Sequence, residues 1–204
     1  MSHQRSSLLS RVLSIAVVAA GIVAAPAQAF LIVWDIDLNG ANEAPPNASP
    51  GTADALITVD TVLGTMRLQT TFSGLLGTTS AAHIHCCTTV PLTGTAGVST
   101  VPPAFPGFPL GVTSGTYDSG LMNMLVAGFY NPPFLTARGG SVGQAYNDLI
   151  NGMVQGRTYL NIHTTVVPGG EIRAFLPAVA VPEPGTLALL GIAALGLGLR
   201  RRKA

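Results

Sequence analysis

Apolar and polar residues alternate in steps of two through most of the middle of this chain. Ala55, Ile57 and Val59 interleave with Leu56, Thr58 and Asp60, and Met66, Leu68, Thr70 and Phe72 with Arg67, Gln69 and Thr71. Successive side chains of a strand point to opposite faces, so this period predicts half-buried β-strands. Asp60-Thr61-Val62-Leu63-Gly64 lies between the two runs and predicts a hairpin turn. Five more runs read as strands: 31–38, 81–85, 121–126, 158–164 and 171–176. Seven short strands separated by turn signals predict an all-β domain, a sandwich or barrel.

One segment changes period. Val142, Tyr146, Leu149 and Met153 recur at helical spacing, Ser141 can cap the start and Gly156 can end the run, so a single short helix is expected over 141–155. Residues 42–51 and 91–111 are rich in Pro and Gly and read as loops. They also carry Phe105 and Phe108, which, like Phe134, are expected to fold back onto the sandwich. No internal repeat and no second domain is evident.

The two ends follow different rules. Arg5 and Arg11, an apolar stretch over 12–25 and then Ala27-Gln28-Ala29 form a secretory signal with a signal-peptidase site after Ala29. At the other end, Pro182-Glu183-Pro184 precedes thirteen apolar residues over 187–199 and the basic run Arg200-Arg201-Arg202-Lys203. Thirteen residues rise roughly 20 Å as a helix, and Gly185, Thr186 and snorkelling arginines extend that reach toward the ~30 Å hydrocarbon core. The basic cluster holds the C-terminus in the cytoplasm and leaves the middle of the chain outside. The chain thus divides into a signal peptide (1–29), a β-domain (30–180) and a sorting and anchor segment (181–204) with a transmembrane helix.

This tail resembles the PEP-CTERM sorting signal of Gram-negative bacteria. The resemblance implies processing by an exosortase, a membrane protease-transpeptidase, during export to the cell surface or the exopolysaccharide matrix. Until that processing, the helix would anchor the protein in the membrane.

Composition becomes informative once the ends are set aside. The whole chain has a net charge of +1 and is 9% charged, against about 25% in typical soluble domains. Six of its ten basic residues lie in the terminal segments. Residues 30–181 keep four basic residues against eight acids, a net charge of −4. That balance excludes the basic footprint of a nucleic-acid binder. With 2 cysteines the chain is no disulfide-rich scaffold.

Candidate chemistry is concentrated on three histidines. His83 and His85 stand at i and i+2, so on a strand both imidazoles project from one face, and an extended continuation would add Cys87. His163 lies in a second strand whose apolar Leu160 and Ile162 set it facing away from the core. If the two strands are neighbours, three imidazoles and a less favoured Cys87 thiolate form a ligand set suited to copper or zinc. The alternative is that the histidines hydrogen-bond backbone groups and anchor loops onto the sheet.

Cys86-Cys87 allows a vicinal disulfide, an intermolecular bridge, a metal thiolate or a packed thiol pair, with the vicinal bridge favoured because no third cysteine exists. Asp35 and Asp37 share a strand face and read as a solvated surface. No nucleophile elbow or phosphate-binding glycine loop is present, so no catalytic residue is assigned.

Three motifs occur in order: 38–47 (LNGANEAPPN), 81–85 (AAHIH), and 159–164 (YLNIHT) followed by 168–173 (PGGEIR). Together they resemble the CHRD domain, named from repeats in chordin and widespread in bacterial exported proteins, over residues 36 to 177. The resemblance implies an antiparallel Greek-key β-sandwich similar in architecture to Cu/Zn superoxide dismutase. Dismutase sites use more histidines than three, so the likeness extends to the fold and not to that activity. The expectation is therefore a non-enzymatic, exported structural or binding protein whose partners are extracellular polysaccharide or matrix proteins. The alternative is a copper- or zinc-binding, redox-active sandwich using His83, His85 and His163.

Overall fold

The computed structural model describes residues 31–180. The expected signal peptide and sorting segment, with Ala29, Pro182, Glu183 and Pro184, lie outside the described residues. Among the described residues no helix is long and apolar enough to cross a membrane.

The first three strands, β1 (Leu31–Asn39), β2 (Thr52–Asp60) and β3 (Thr65–Ser73), form an antiparallel meander paired along their full lengths. Their alternation sorts the faces cleanly. Ile32, Trp34, Ile36 and Leu38 of β1, Ala53, Ala55, Ile57 and Val59 of β2, and Met66, Leu68 and Phe72 of β3 are buried on one side. Asp35 and Asp37 lie on the exposed side of β1, with Asp54 directly opposite Asp37. The turn after β2 is held by Asp60, whose Oδ1 accepts from the amides of Val62 and Leu63.

A second layer consists of β4 (Thr79–Cys86), β7 (Thr158–Thr164) and β8 (Ile172–Phe175), again antiparallel throughout. It meets the meander along the β8–β1 edge, where Asn39 faces Arg173. With β5 (Gly115–Asp118) the full strand order is therefore β4-β7-β8-β1-β2-β3-β5, and the short β6 (Met122–Asn123) is also on β3. Hydrogen bonds of Thr79, at the start of β4, with Val112 and Gly111 tie that end of the sheet to the segment leading into β5. The result is an all-β, antiparallel, curled sandwich. Ala82, Ile84, Leu160, Ile162, Ile172 and Ala174 of the second layer face the apolar side of the meander, and each large side chain so buried contributes about 1.5–3 kcal/mol.

The predicted helix is present as a 13-residue element. Val142–Val154 begins with Ser141 accepting from the Gln144 amide, and Gly156 follows its end with a φ of +72°. We call it α2, because a five-residue helix not expected from the sequence, α1 (Pro132–Thr136), precedes it. Pro132 and Pro133 occupy its first turn, where a missing amide hydrogen costs nothing. The buried face of α2, formed by Ala145, Leu149, Gly152 and Met153, covers the core.

Two strand assignments differ from expectation. The run 121–126 contracts to β6 (Met122–Asn123), and Met124 turns inward with its amide on the Gly64 carbonyl. A short strand, β5 (Gly115–Asp118), instead pairs with β3. The aromatics Phe105 and Phe108 of the loop, and Phe134 of α1, are buried in the core, as their apolar character implies.

Candidate metal centre

The β4–β7 register brings the histidines together. Ala81 is opposite His163, His83 opposite Asn161, and His85 opposite Tyr159, while Arg173 and Phe175 of β8 continue the last two rows. Alternation places all of these side chains on the face turned away from the core. That face is not open to water: His83, His85 and His163 retain 6%, 8% and 8% of their exposure, and every residue of β7 is buried. Loops supply the cover. The Ala96 carbonyl and amide meet the Tyr159 hydroxyl, and Arg173 donates to the carbonyls of Asn42 and Gly94. Arg173 also lies 3.7 Å from the Glu43 carboxylate and 4.7 Å from the centre of the Tyr159 ring.

The three imidazoles form one cluster. Ring centroids of His83 are 4.8 Å from His85 and 4.6 Å from His163, and one nitrogen from each ring lies within 4.8 Å of the others. Two rings are oriented by backbone. His85 Nδ1 is 2.8 Å from the Ala96 carbonyl and His163 Nδ1 is 2.9 Å from the Pro168 carbonyl. A carbonyl only accepts, so Nδ1 carries the proton in both rings and Nε2 presents a lone pair. Those two Nε2 atoms and His83 Nδ1 are buried with no hydrogen-bond partner. His85 is further fixed by stacking on Tyr159 at 4.6 Å between centroids.

Burial keeps the rings neutral. Desolvation, helped by the neighbouring histidines, pushes His83 down from 6.5 to about 3. Desolvation likewise lowers His85 to about 4, and it lowers His163. Neutral imidazole is the form that binds a metal ion.

Cys87 does not join this group. The β4 strand ends at Cys86, which points inward with Ala82 and Ile84, and the following peptide bond is cis. The Cys86 and Cys87 sulfurs are paired as a disulfide across a Cα–Cα distance of 3.0 Å. Both sulfurs lie against α2 near the Asp148 carbonyl, where a Cβ on Gly152 would come within 2.7 Å of each.

Glu171 and Arg173 stand two residues apart and have separate tasks. Burial pushes the Glu171 carboxyl up, but hydrogen bonds from Ser49, Thr164 and the Leu76 and Gly77 amides outweigh it and hold the group below its ordinary value. Glu171 thereby ties the β3–β4 connection to β7, whereas Arg173 clamps the two loops over the histidines.

Two residues of this face carry no metal-site signal in the sequence. Asn161 stands between His83 and Arg173 in the cross-strand row, and its Oδ1 is buried and unpartnered. Glu43 reaches the face from the loop after β1, and its Oε1 is likewise unpartnered. Burial, opposed by the Arg173 charge, raises the Glu43 carboxyl to about 7. Alternation along 159–163 puts Asn161 on the face of His163; nothing local connects Glu43 to it.

Comparison with known families agrees with both motif sets. A family model of the CHRD domain matches residues 34–176, and a model of the PEP-CTERM protein-sorting motif matches residues 180–203. No curated protein and no solved structure matches the chain. The sorting motif marks the protein for export and for membrane-anchored exosortase processing in a bacterium. On this match, the order of the three motifs and the curled antiparallel sandwich, the chain belongs to the CHRD-domain family.

Proposed function

We propose that this exported domain holds one copper or zinc ion on His83, His85 and His163, and serves as a non-catalytic binding component of the cell surface or exopolysaccharide matrix of a Gram-negative bacterium. The observation that carries the metal assignment is the set of three converging ring nitrogens, buried and without hydrogen-bond partners. Loop anchoring accounts for one nitrogen each of His85 and His163 and leaves the facing nitrogens unexplained. Each buried unpaired polar atom costs about 1–3 kcal/mol, so three together need a common occupant. A backbone carbonyl on the far ring nitrogen is also how metal-bound imidazoles are commonly oriented. Ligands about 2.0–2.1 Å from one ion stand no more than about 4.2 Å apart, so binding draws the rings inward by several tenths of an ångström.

Export is supported by the sorting motif. Localisation to the outer surface or matrix is tested by fractionating cells with and without residues 181–204. The metal assignment is tested by loading the exported chain with copper or zinc, desalting, and measuring metal by mass spectrometry. One equivalent in the wild type and less than a tenth in His83→Ala is expected. Equal metal in both proteins, or none in either, contradicts the assignment.

A further inference from the structure

The two layers separate immediately beside their junction. β1 pairs with β8 only at Asn39 and Arg173. Continued, that register would set Asp37 opposite Phe175 and Asp35 opposite Pro177, but neither row forms. Proline has no amide hydrogen to give to such a ladder. The Asn42 side chain bridges the two strands instead, donating to the Arg173 carbonyl at 3.2 Å and to the Asp37 carbonyl at 3.5 Å. Leu176 donates its amide to Thr158, so alternation turns the amide and carbonyl of Phe175 away from β7 and toward β1. Backbone groups that a continued ladder would use therefore face the gap.

A cleft of about 650 Å³ opens at this place, within the size range of small-molecule sites. Asp37 lines it from β1, Arg173 and Phe175 from β8 with Pro177 just beyond, and the loops 42–44 and 92–94 wall it. None of the three histidines lines it, so the cleft is separate from the imidazole cluster. Glu43 and Arg173 are the buried charges of the lining, 3.7 Å apart, whereas Asp37 is exposed.

Charge narrows the occupant. Arg173 opposes a cation, and Asp37, together with Glu43 when ionised, opposes an anion. A neutral ligand rich in hydroxyl groups satisfies both signs, because each hydroxyl can donate to a carboxylate and accept from a guanidinium. Two of the five donors of Arg173 are taken by the Asn42 and Gly94 carbonyls. The half-buried Phe175 and the exposed Pro177 add an apolar wall for the C–H face of such a ligand. Resting on the reading of this domain as an extracellular binding component, we propose that the cleft between β1 and β8 binds a neutral sugar unit of an extracellular polysaccharide. Asp37 and Arg173 hold its hydroxyls, and Phe175 packs against its ring.

Affinity electrophoresis tests this with soluble polymers as probes. The exported chain is run through gels containing dextran, galactomannan or the acidic polymer alginate, alongside Asp37→Ala and Phe175→Leu. The wild type should be retarded by at least one of the two neutral polymers and less by alginate. Retardation constants should fall about tenfold in each variant, since each loses one contact with the sugar. Asp37 is exposed, so its substitution reads binding without threatening the fold, and urea midpoints verify that both variants are folded. Passage of the wild type unretarded through both neutral gels, stronger retardation by alginate, or constants equal in the wild type and Asp37→Ala overturns the sugar site. Wild type that reaches the cell surface yet is unretarded overturns the cleft alone, whereas retarded protein absent from the surface overturns the localisation and leaves the cleft standing.

Discussion

The layer formed by β4, β7 and β8 buries both of its faces, and they are built from opposite chemistry. The inner face, with Ala82, Ile84, Leu160, Ile162, Ile172 and Ala174, is apolar and packs on the meander. The outer face, with His83, His85, Tyr159, Asn161, His163 and Arg173, is polar and lies beneath loops. The inner face stabilises the fold by removing apolar surface from water. The outer face retains five unpaired polar atoms, at about 1–3 kcal/mol each if nothing fills them. Such a concentration beside a well-packed core is what a binding site costs the protein.

The comparison can be broken by substitution. The largest effect is expected from Arg173→Ala, which frees both loops and leaves Glu43 buried without its cation. A loss of about 3–5 kcal/mol is expected in urea unfolding of the metal-free protein. An unchanged midpoint would deny the loop clamp. On the inner face, Ile84→Ala should lose about 2–5 kcal/mol while the folded fraction still binds one metal ion. Loss of metal from that variant would show that the two faces are not independent.

Smaller effects sharpen the picture. A methyl group at Gly152 meets both cysteine sulfurs, so Gly152→Ala should cost about 1–3 kcal/mol by overpacking. The cost should largely vanish when Cys86 and Cys87 are both alanine, and an additive double-mutant cycle would contradict the contact.

The pH profile of the metal-free protein separates the faces more gently. The histidine pKa values are lower in the folded state than the ordinary 6.5, so their contribution is fully present above about pH 6.5 and is lost as pH falls toward 4 and 3. Glu43 acts in the other direction. Its raised value means a contribution present below about pH 4.5 and lost as pH rises through about 7. Three histidines outweigh one carboxyl, so stability should rise with pH up to about 6.5 and level off above it. Ile84→Ala should lower the whole curve without changing its shape, whereas His83→Gln should make the acid limb shallower. Equal acid limbs in wild type and His83→Gln would count against the buried neutral imidazole.

What was legible in the sequence follows the range of each interaction. The β2–β3 hairpin, the helix and its Ser141 cap, and the shared face of His83 and His85 are local, and alternation or capping chemistry exposes them. Pairing of β4 with β7 is not local. It joins segments about 80 residues apart, so His163 could be placed on a strand but not beside His83. Burial of the outer face was hidden for a related reason. Asn161 and His163 lie on the face turned away from the core, and only the folded loops from 42–47, 94–96 and 165–170 cover that face. β5 leaves little trace in the alternation, because Gly115 and Thr116 carry little apolar signal. The run 121–126 carries more apolar signal than strand, because Met124 is buried by a turn while Leu121 and Leu125 remain exposed.

The most direct test of the account is X-ray absorption at the metal edge of the zinc- or copper-loaded exported chain. Three imidazole nitrogens at about 2.0–2.1 Å are predicted for zinc in the wild type, with bound metal largely lost from His83→Ala, His85→Ala and His163→Ala alike. A sulfur shell near 2.3 Å from Cys87, or an all-oxygen shell unchanged by the histidine substitutions, would contradict it.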